Sequence, residues 1–349
     1  MSQPPTFAVI SGAQVHRAVS GREDQITHVV EAAYRAHGEG ATVNPDSYFL
    51  RFPERPASRI IALPASLRAG FDVHGIKWIS SFPENVATGL PRASAVLILN
   101  DTDTGYPFAC LESSIISATR TAASAALAAV RLSECRNGSE RPTRVGFFGA
   151  GLIARYIHAY LVGNGFSFRE LGVHDLSAEH AAAFKGYLER TEKATVTVHR
   201  RPEDLIRGSD LVVFATVAGE PHVTDAAWFA HNPLVLHISL RDLAPEIILS
   251  SYNVVDDVEH CMKANTSPHL AEQHVGHRSF VAGTLYDVLT GKLAPPTDQP
   301  VIFSPFGLGV LDLAVATYVH DQVAMEGGLH EVPGFFHELD RYGRGPAGA

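Results

Sequence analysis

Cysteine is scarce in this chain of 349 residues: Cys110, Cys135 and Cys261 stand far apart and form no C-x-x-C pair. Three scattered thiols exclude a disulfide framework and suit inert side chains in a reducing cytoplasm. Long apolar runs are missing too. The best candidate, Val145 to Val162, is interrupted by Arg155 and His158 and falls short of the ~18 apolar residues a membrane span needs. There is no run of Lys and Arg, and 28 of them against 37 Asp and Glu leave a formal charge of -9. That argues against binding of nucleic acid or an anionic membrane through a basic surface. The opening Met-Ser-Gln-Pro-Pro has neither a basic nor an apolar leader segment, so no signal peptide is expected.

What remains is ordinary globular material, 46% hydrophobic and 19% charged, which rules out disorder and collagen-like repeats. At ~150 residues per domain the length predicts two domains. Arg59–Leu63, His74–Ile79 and Ser94–Leu99 are short apolar or alternating runs, which predicts strands. Asn100–Gly105 carries the Asp and Gly of a hairpin turn, so consecutive strands here should be antiparallel. Glu112–Glu134 is rich in Ala, Ser and Leu without Gly or Pro and predicts one long helix, ended by Asn137-Gly138 in a linker to Pro142. Beyond it, Arg144–Phe148, Leu171–His174, Val196–His199, Leu211–Phe214, Leu234–Ile238 and Asn253–Val255 are apolar strands spaced for crossovers. Leu152–Val162 is a helix among them. Strands alternating with helices give a doubly wound parallel sheet, so the fold class is α/β beside an antiparallel α+β part. The tail after Arg341 should fray.

Gly149-Ala150-Gly151-Leu152-Ile153-Ala154 follows a strand and opens a helix, matching G-x-G-x-x-[G/A]. The first Gly permits the turn, the second lets backbone approach a pyrophosphate, and the small last residue lets helix and strand pack closely. Asp175 ends the next strand, where a carboxylate accepts the ribose hydroxyls of NAD and repels the 2′-phosphate of NADP. A structural glycine turn beside a solvated aspartate is the alternative. The cofactor expected is NAD.

Several segments together resemble the ornithine cyclodeaminase/mu-crystallin family: Gly75–Trp78, Asp101–Pro107, Ser117–Ala123, Gly149–Ala154 and Pro305–Ala314. The similarity runs from about Ile60 to Ala316. Within the family, Arg59–Pro64, His74–Ile79 and Arg92–Asp101 look most like the 2,3-diaminopropionate branch, the N-(2-amino-2-carboxyethyl)-L-glutamate dehydrogenases. The resemblance implies a Rossmann-type domain (131–317) inserted into an antiparallel substrate and dimerisation domain (1–130, completed by 318–349), and a homodimer. It also implies oxidative hydrolysis of that amino-acid conjugate, feeding siderophore or peptide-antibiotic synthesis. An ornithine cyclodeaminase, an imine or amino-acid reductase and a non-enzymatic binding protein are the rivals.

By the same resemblance, Lys77 and Asp242 are the catalytic candidates, and Arg51, Arg59, Arg92 and Arg120 the substrate-binding ones. The cofactor candidates are Gly149, Ala150, Gly151, Leu152, Ile153, Asp175, Ala215, Thr216, Val217, Ser239 and Gly307. Two departures from the cyclodeaminases stand out. Their glutamate for the distal amine is Ile61 here, and a threonine of theirs is Arg92. An acid is lost and a cation gained, which suits a substrate richer in carboxylates than ornithine. Plainer readings stay open: Lys77 as an edge-strand lysine, Arg59 and Arg92 as surface charges, Asp242 as the cap of a helix near Leu243. His260, Cys261, His269, His274 and His277 show no metal-ligand spacing, so no metal is expected.

Overall fold

The structure is a computed structural model and describes residues 5–138 and 140–337. The start through Pro4 and the tail after Arg341 lie outside the described residues. These divide into two compact units. Residues up to Ser20, Ala41–Ile116 and those from Asp312 onward form one; Gly21–Gly40 and Ser117–Leu311 form the other.

The first unit is built on a mainly antiparallel sheet. Strands β1 (Ala8–Ile10), β2 (Thr42–Val43), β3 (Tyr48–Phe52), β4 (Arg55–Leu67), β5 (Val73–Ser81), β6 (Ala93–Asp101) and β7 (Pro107–Glu112) belong to it. Strands β4 to β7 form an antiparallel meander, and β2 and β3 both pair with β4. The expected hairpin turn joins β6 to β7. Asp101 Oδ1 accepts the Thr104 N–H at 2.8 Å, and Gly105 supplies the positive φ of +73°. The sequence reading missed β1, which pairs parallel with β7; three residues are too few to show a period.

Helix α3 (Ser114–Asn137) follows β7. Glu112 opens it by accepting the N–H of Ser114 at 2.7 Å, a carboxylate on the first free donors of a helix. Its alanines at 122, 123, 125, 126, 128 and 129 are all buried, so the helix packs closely on both sides. A larger residue at any of them would overpack by about 1–3 kcal/mol.

The second unit carries an eight-stranded parallel sheet in the order β10-β9-β8-β11-β12-β15-β13-β14. Its members are β8 (Arg144–Phe148), β9 (Glu170–His174), β10 (Thr195–Val198), β11 (Leu211–Phe214), β12 (Leu234–His237), β13 (Tyr252–Val255), β14 (Val281–Thr284) and β15 (Val301–Ser304). Helices α4 (Leu152–Gly163) and α5 (Ala178–Thr191) make crossovers. The central strands β8, β11, β12, β13 and β15 are buried on both faces, which explains their near-continuous apolar runs, while the edge strands β10 and β14 are partly exposed. Helix α2 (Glu23–Gly38) belongs to this unit although it comes early in the chain. Asn164 at the end of α4 donates to Thr27 Oγ1 at 2.9 Å, and a Cβ on Gly163 would stand 2.4 Å from Glu23 Cβ. The expected boundaries at 130/131 and 317/318 fall inside α3 and inside the helix Gly309–Met325, where composition gives no break. Among the described residues no helix is long and apolar enough to cross a membrane.

Candidate functional site

Order reverses between β8 and β11, the place where ligands gather at the carboxyl ends of a doubly wound sheet. Gly149 leaves β8 at φ +84°, and a Cβ there would lie 2.5 Å from the Ala215 carbonyl oxygen. Glycine is therefore required twice over, by conformation and by space. Gly151 is different: a Cβ would meet nothing within 4 Å, so the backbone faces open room at the first turn of α4. Ala154 is fully buried against the sheet, as the motif demands. Asp175 Oδ2 accepts the Ala150 N–H at 2.8 Å, while Oδ1 accepts that of Ser177 at 2.8 Å. These bonds hold the carboxylate at the edge of a cavity of about 720 Å³.

That cavity is lined by Gly149, Ala150, Gly151, Asp175, Ala215, Thr216 and Val217, seven of the expected cofactor residues. A glycine turn, an open helix N-terminus and an acceptor for ribose hydroxyls together fit a dinucleotide. The other four candidates stand elsewhere. Leu152 is largely exposed and Ile153 half-buried on the first turn of α4, where the helix offers backbone N–H groups rather than side chains. Ser239 serves Asp242, and Gly307 abuts Arg120.

Asp242 lies in the segment after β12 and is wholly buried. It caps no helix: the next one begins at Pro245, with Ala244 in the cap position. Oδ1 accepts from Thr216 Oγ1 and from His222 Nε2, the latter at 3.0 Å. Oδ2 accepts from Ser239 Oγ at 2.5 Å and lies 3.3 Å from His237 Nε2. Burial pushes the carboxyl up, but the contacts with His222, His237 and Ser239 outweigh it and hold the group well below the ordinary carboxylate range. His222, unforeseen in the sequence, is 38% exposed and lines the same cavity. Nothing in its loop, Glu220-Pro221-His222-Val223, distinguishes it.

Arg120 lies on α3 in the same unit. A Cβ on Gly307, which sits at φ +96°, would come within 2.6 Å of its Nη1, so the guanidinium rests against that turn. Buried Asp256 fixes the turn by accepting the N–H of Phe306 at 2.9 Å and of Gly307 at 2.7 Å. Burial drives the Asp256 carboxyl up against the pull of these bonds.

In the first unit, register decides which side chains share a face. Arg51 opposes Arg59, Arg59 opposes Ser81, Ile61 opposes Ile79, and Leu63 opposes Lys77. Arg51, Arg59, Ile61 and Lys77 thus project from one face of the sheet. Arg92 joins them at the edge, donating to Ser81 Oγ at 2.7 Å; burial lowers its guanidinium from the usual value. Arg51 is exposed, its guanidinium 5.0 Å from the Phe49 ring, and Arg59 is half-buried. Lys77 is no edge lysine, because β5 has partners on both sides. Only 2% exposed, it pairs with Asp312 of the helix Gly309–Met325 at 2.6 Å. Asp312 lay inside the Pro305–Ala314 segment, but its partner could not be read from sequence. Among the described residues no cluster of three His, Cys, Asp or Glu is placed to hold a metal.

The sequence profile of one family matches residues 10–327, with the description "Ornithine cyclodeaminase/mu-crystallin family". The chain belongs to that family. Among its relatives, the N-((2S)-2-amino-2-carboxyethyl)-L-glutamate dehydrogenase of Staphylococcus aureus is 26% identical over 91% of this chain and 95% of its own. The alanine dehydrogenase of Archaeoglobus fulgidus is 28% identical over 85% of this chain and 90% of its own. An archaeal alanine dehydrogenase dimer with bound NAD superposes with a TM-score of 0.82 at 25% identity, covering 95% of this chain and 100% of that one. The family's dehydrogenases, reductases and cyclodeaminases are NAD-dependent enzymes of amino-acid chemistry, and the fold is theirs.

Proposed function

We propose that this chain oxidatively hydrolyses N-(2-amino-2-carboxyethyl)-L-glutamate to L-2,3-diaminopropionate and 2-oxoglutarate, forming NADH, in the cytoplasm and as a precursor step to a siderophore or peptide antibiotic. The observation that carries this reading is the cationic face of the first unit. Arg51, Arg59 and Arg92 gather there around Ile61, where an acid for a distal amine would stand in a cyclodeaminase. Guanidinium forks grip carboxylates bidentately, and the conjugate has three. The resemblance of the Staphylococcus aureus relative supports the same choice.

The cofactor is NAD, and when bound it supplies the hydride acceptor. The chain's own side chains do the rest. Gly149, Gly151 and the start of α4 receive the pyrophosphate, and Asp175 the ribose hydroxyls. Arg51, Arg59 and Arg92 of the first unit are the groups that hold carboxylates and orient the glutamate α-carbon, and Arg120 of the second is a further carboxylate candidate. Lys77 on the first unit and the Asp242 cluster on the second are the candidates for proton transfer. The first unit serves as the substrate and dimerisation part, the second as the nucleotide-binding part. A homodimer is supported by the opposite face of the first sheet. There Tyr48, Leu50, Trp78 and Val96 are aligned and exposed, Trp78 by 42%.

The test is stoichiometric. The conjugate should give one NADH and one 2-oxoglutarate per turnover, while ornithine should give neither NADH nor proline. A cyclodeaminase returns its hydride and accumulates no NADH, so rapid proline formation from ornithine would overturn the proposal.

A further inference from the structure

Asp242 is badly placed to exchange protons with anything in the cavity. Its carboxylate is wholly buried, and each oxygen is already engaged, Oδ1 by Thr216 and His222, Oδ2 by Ser239 with His237 close by. Held ionised this firmly, it is also a weak base. His222 has the complementary properties. Its side chain is 38% exposed, it lines the dinucleotide cavity, and its Nε2 lies 3.0 Å from Asp242 Oδ1. A carboxylate can only accept, so Nε2 carries the proton and Nδ1 is left as a basic lone pair. This is the logic by which a buried carboxylate orients a catalytic imidazole and stabilises its cation.

We propose that His222 is the proton-exchanging group of this site and that Asp242 acts through it as a positioning residue. The proposal rests on the reaction assigned above. Water adds to the protonated imine: the C–O bond forms, the C=N π pair moves onto nitrogen, and one water proton passes to Nδ1 of His222. The imidazolium returns that proton to the amine nitrogen. The C–N bond then breaks with its pair on nitrogen, and the remaining O–H proton returns to the imidazole as the carbonyl forms. Other titratable groups line the same cavity: His174 and Asp175 at the end of β9, His180 on α5, and Glu220 on the loop of His222 itself, with His237 behind Asp242.

The experiment compares wild type, His222→Gln, Asp242→Asn and the double variant by the pH profile of kcat for NADH formation, with an NADH binding titration alongside. His222→Gln should lose about 100-fold in kcat together with the pH-dependent limb, as expected on removing a general base. Its NADH affinity should stay within about twofold of wild type. The double variant should fall no more than about threefold below the poorer single one, because residues that act as a unit are not additive. Retention of kcat and of the limb in His222→Gln, or additive losses, would overturn the proposal. If the wild type binds NADH but does not form it from the conjugate, the assigned reaction fails. The dyad is then read from the imidazole ¹⁵N spectrum. A His222 protonated on Nε2 in wild type and released in Asp242→Asn supports it, and an Nδ1–H tautomer in wild type overturns it.

Discussion

Lys77 Nζ stands 2.6 Å from Asp312 Oδ2, and neither side chain reaches water. Two charges buried together are tolerable where either alone is not. Asp312→Ala should therefore destabilise the chain by about 3–5 kcal/mol, read as a lower urea midpoint. Lys77→Met with Asp312→Leu should recover more than half of that loss, yet form no NADH if Lys77 is catalytic as proposed. A double variant as unstable as the sum of the singles would contradict the pairing.

The two motif glycines should separate folding from binding. Gly149→Ala puts a methyl 2.5 Å from a carbonyl oxygen at a positive φ, so the melting temperature should fall. Gly151→Val enters open space, so the fold should hold while the branched side chain fills the cradle meant for phosphate. NADH fluorescence titration beside a melting curve checks both. A Gly151→Val protein that binds NADH normally would move the pyrophosphate elsewhere.

The contrast between these sites shows what the sequence could convey. The strand Arg144–Phe148, its glycine turn and Asp175 were legible because local period, turn chemistry and one fixed offset define them. The meander was legible for the same reason, down to the turn at Asn100–Gly105. The Lys77–Asp312 pair spans 235 positions and depends on how a helix meets a sheet, which no local pattern encodes. His222 became visible only once the loop after β11 was seen folded against the segment after β12. The common face of Arg51, Arg59 and Lys77 needed the pairing register, since a slip of one residue would have turned Arg59 away.

Asp175 should set the cofactor. Two backbone N–H groups hold its carboxylate in place, so it cannot swing away from a 2′-phosphate. NADPH should bind at least about tenfold more weakly than NADH, a difference of ~1.4 kcal/mol. Asp175→Ser should narrow the gap by losing NADH affinity and the repulsion together. Equal binding of both dinucleotides to the wild type would refute this role.

Trp78 tests the assembly. It lies at the centre of an exposed apolar face with Tyr48, Leu50 and Val96. A charge there would be buried unpaired by any partner, at a cost of several kcal/mol. Light scattering should give twice the chain mass for the wild type and the single mass for Trp78→Asp, without loss of NADH binding. A wild-type monomer, or a variant that stays dimeric, would place the interface elsewhere.

Arg92 tests the substrate. It donates to Ser81 Oγ, and Ser81 lies directly across from Arg59, so its guanidinium is fixed beside the cationic face rather than free at the surface. Burial lowers its pKa, but a guanidinium starts so far above neutrality that it stays charged. A fixed, desolvated cation is worth most to an anionic ligand, and a charge-assisted bond contributes roughly 1.5–3 kcal/mol. Arg92→Ala should thus lose about 10–150-fold in kcat/KM for the conjugate while NADH binding is unchanged. Arg92→Lys should recover only part, because an ammonium cannot make the two parallel bonds of a fork. Ser81→Ala, which frees the guanidinium without removing it, should raise KM and spare kcat. Unchanged kinetics in Arg92→Ala would reduce this residue to a strut for Ser81 and remove the chief argument for a third carboxylate on the substrate.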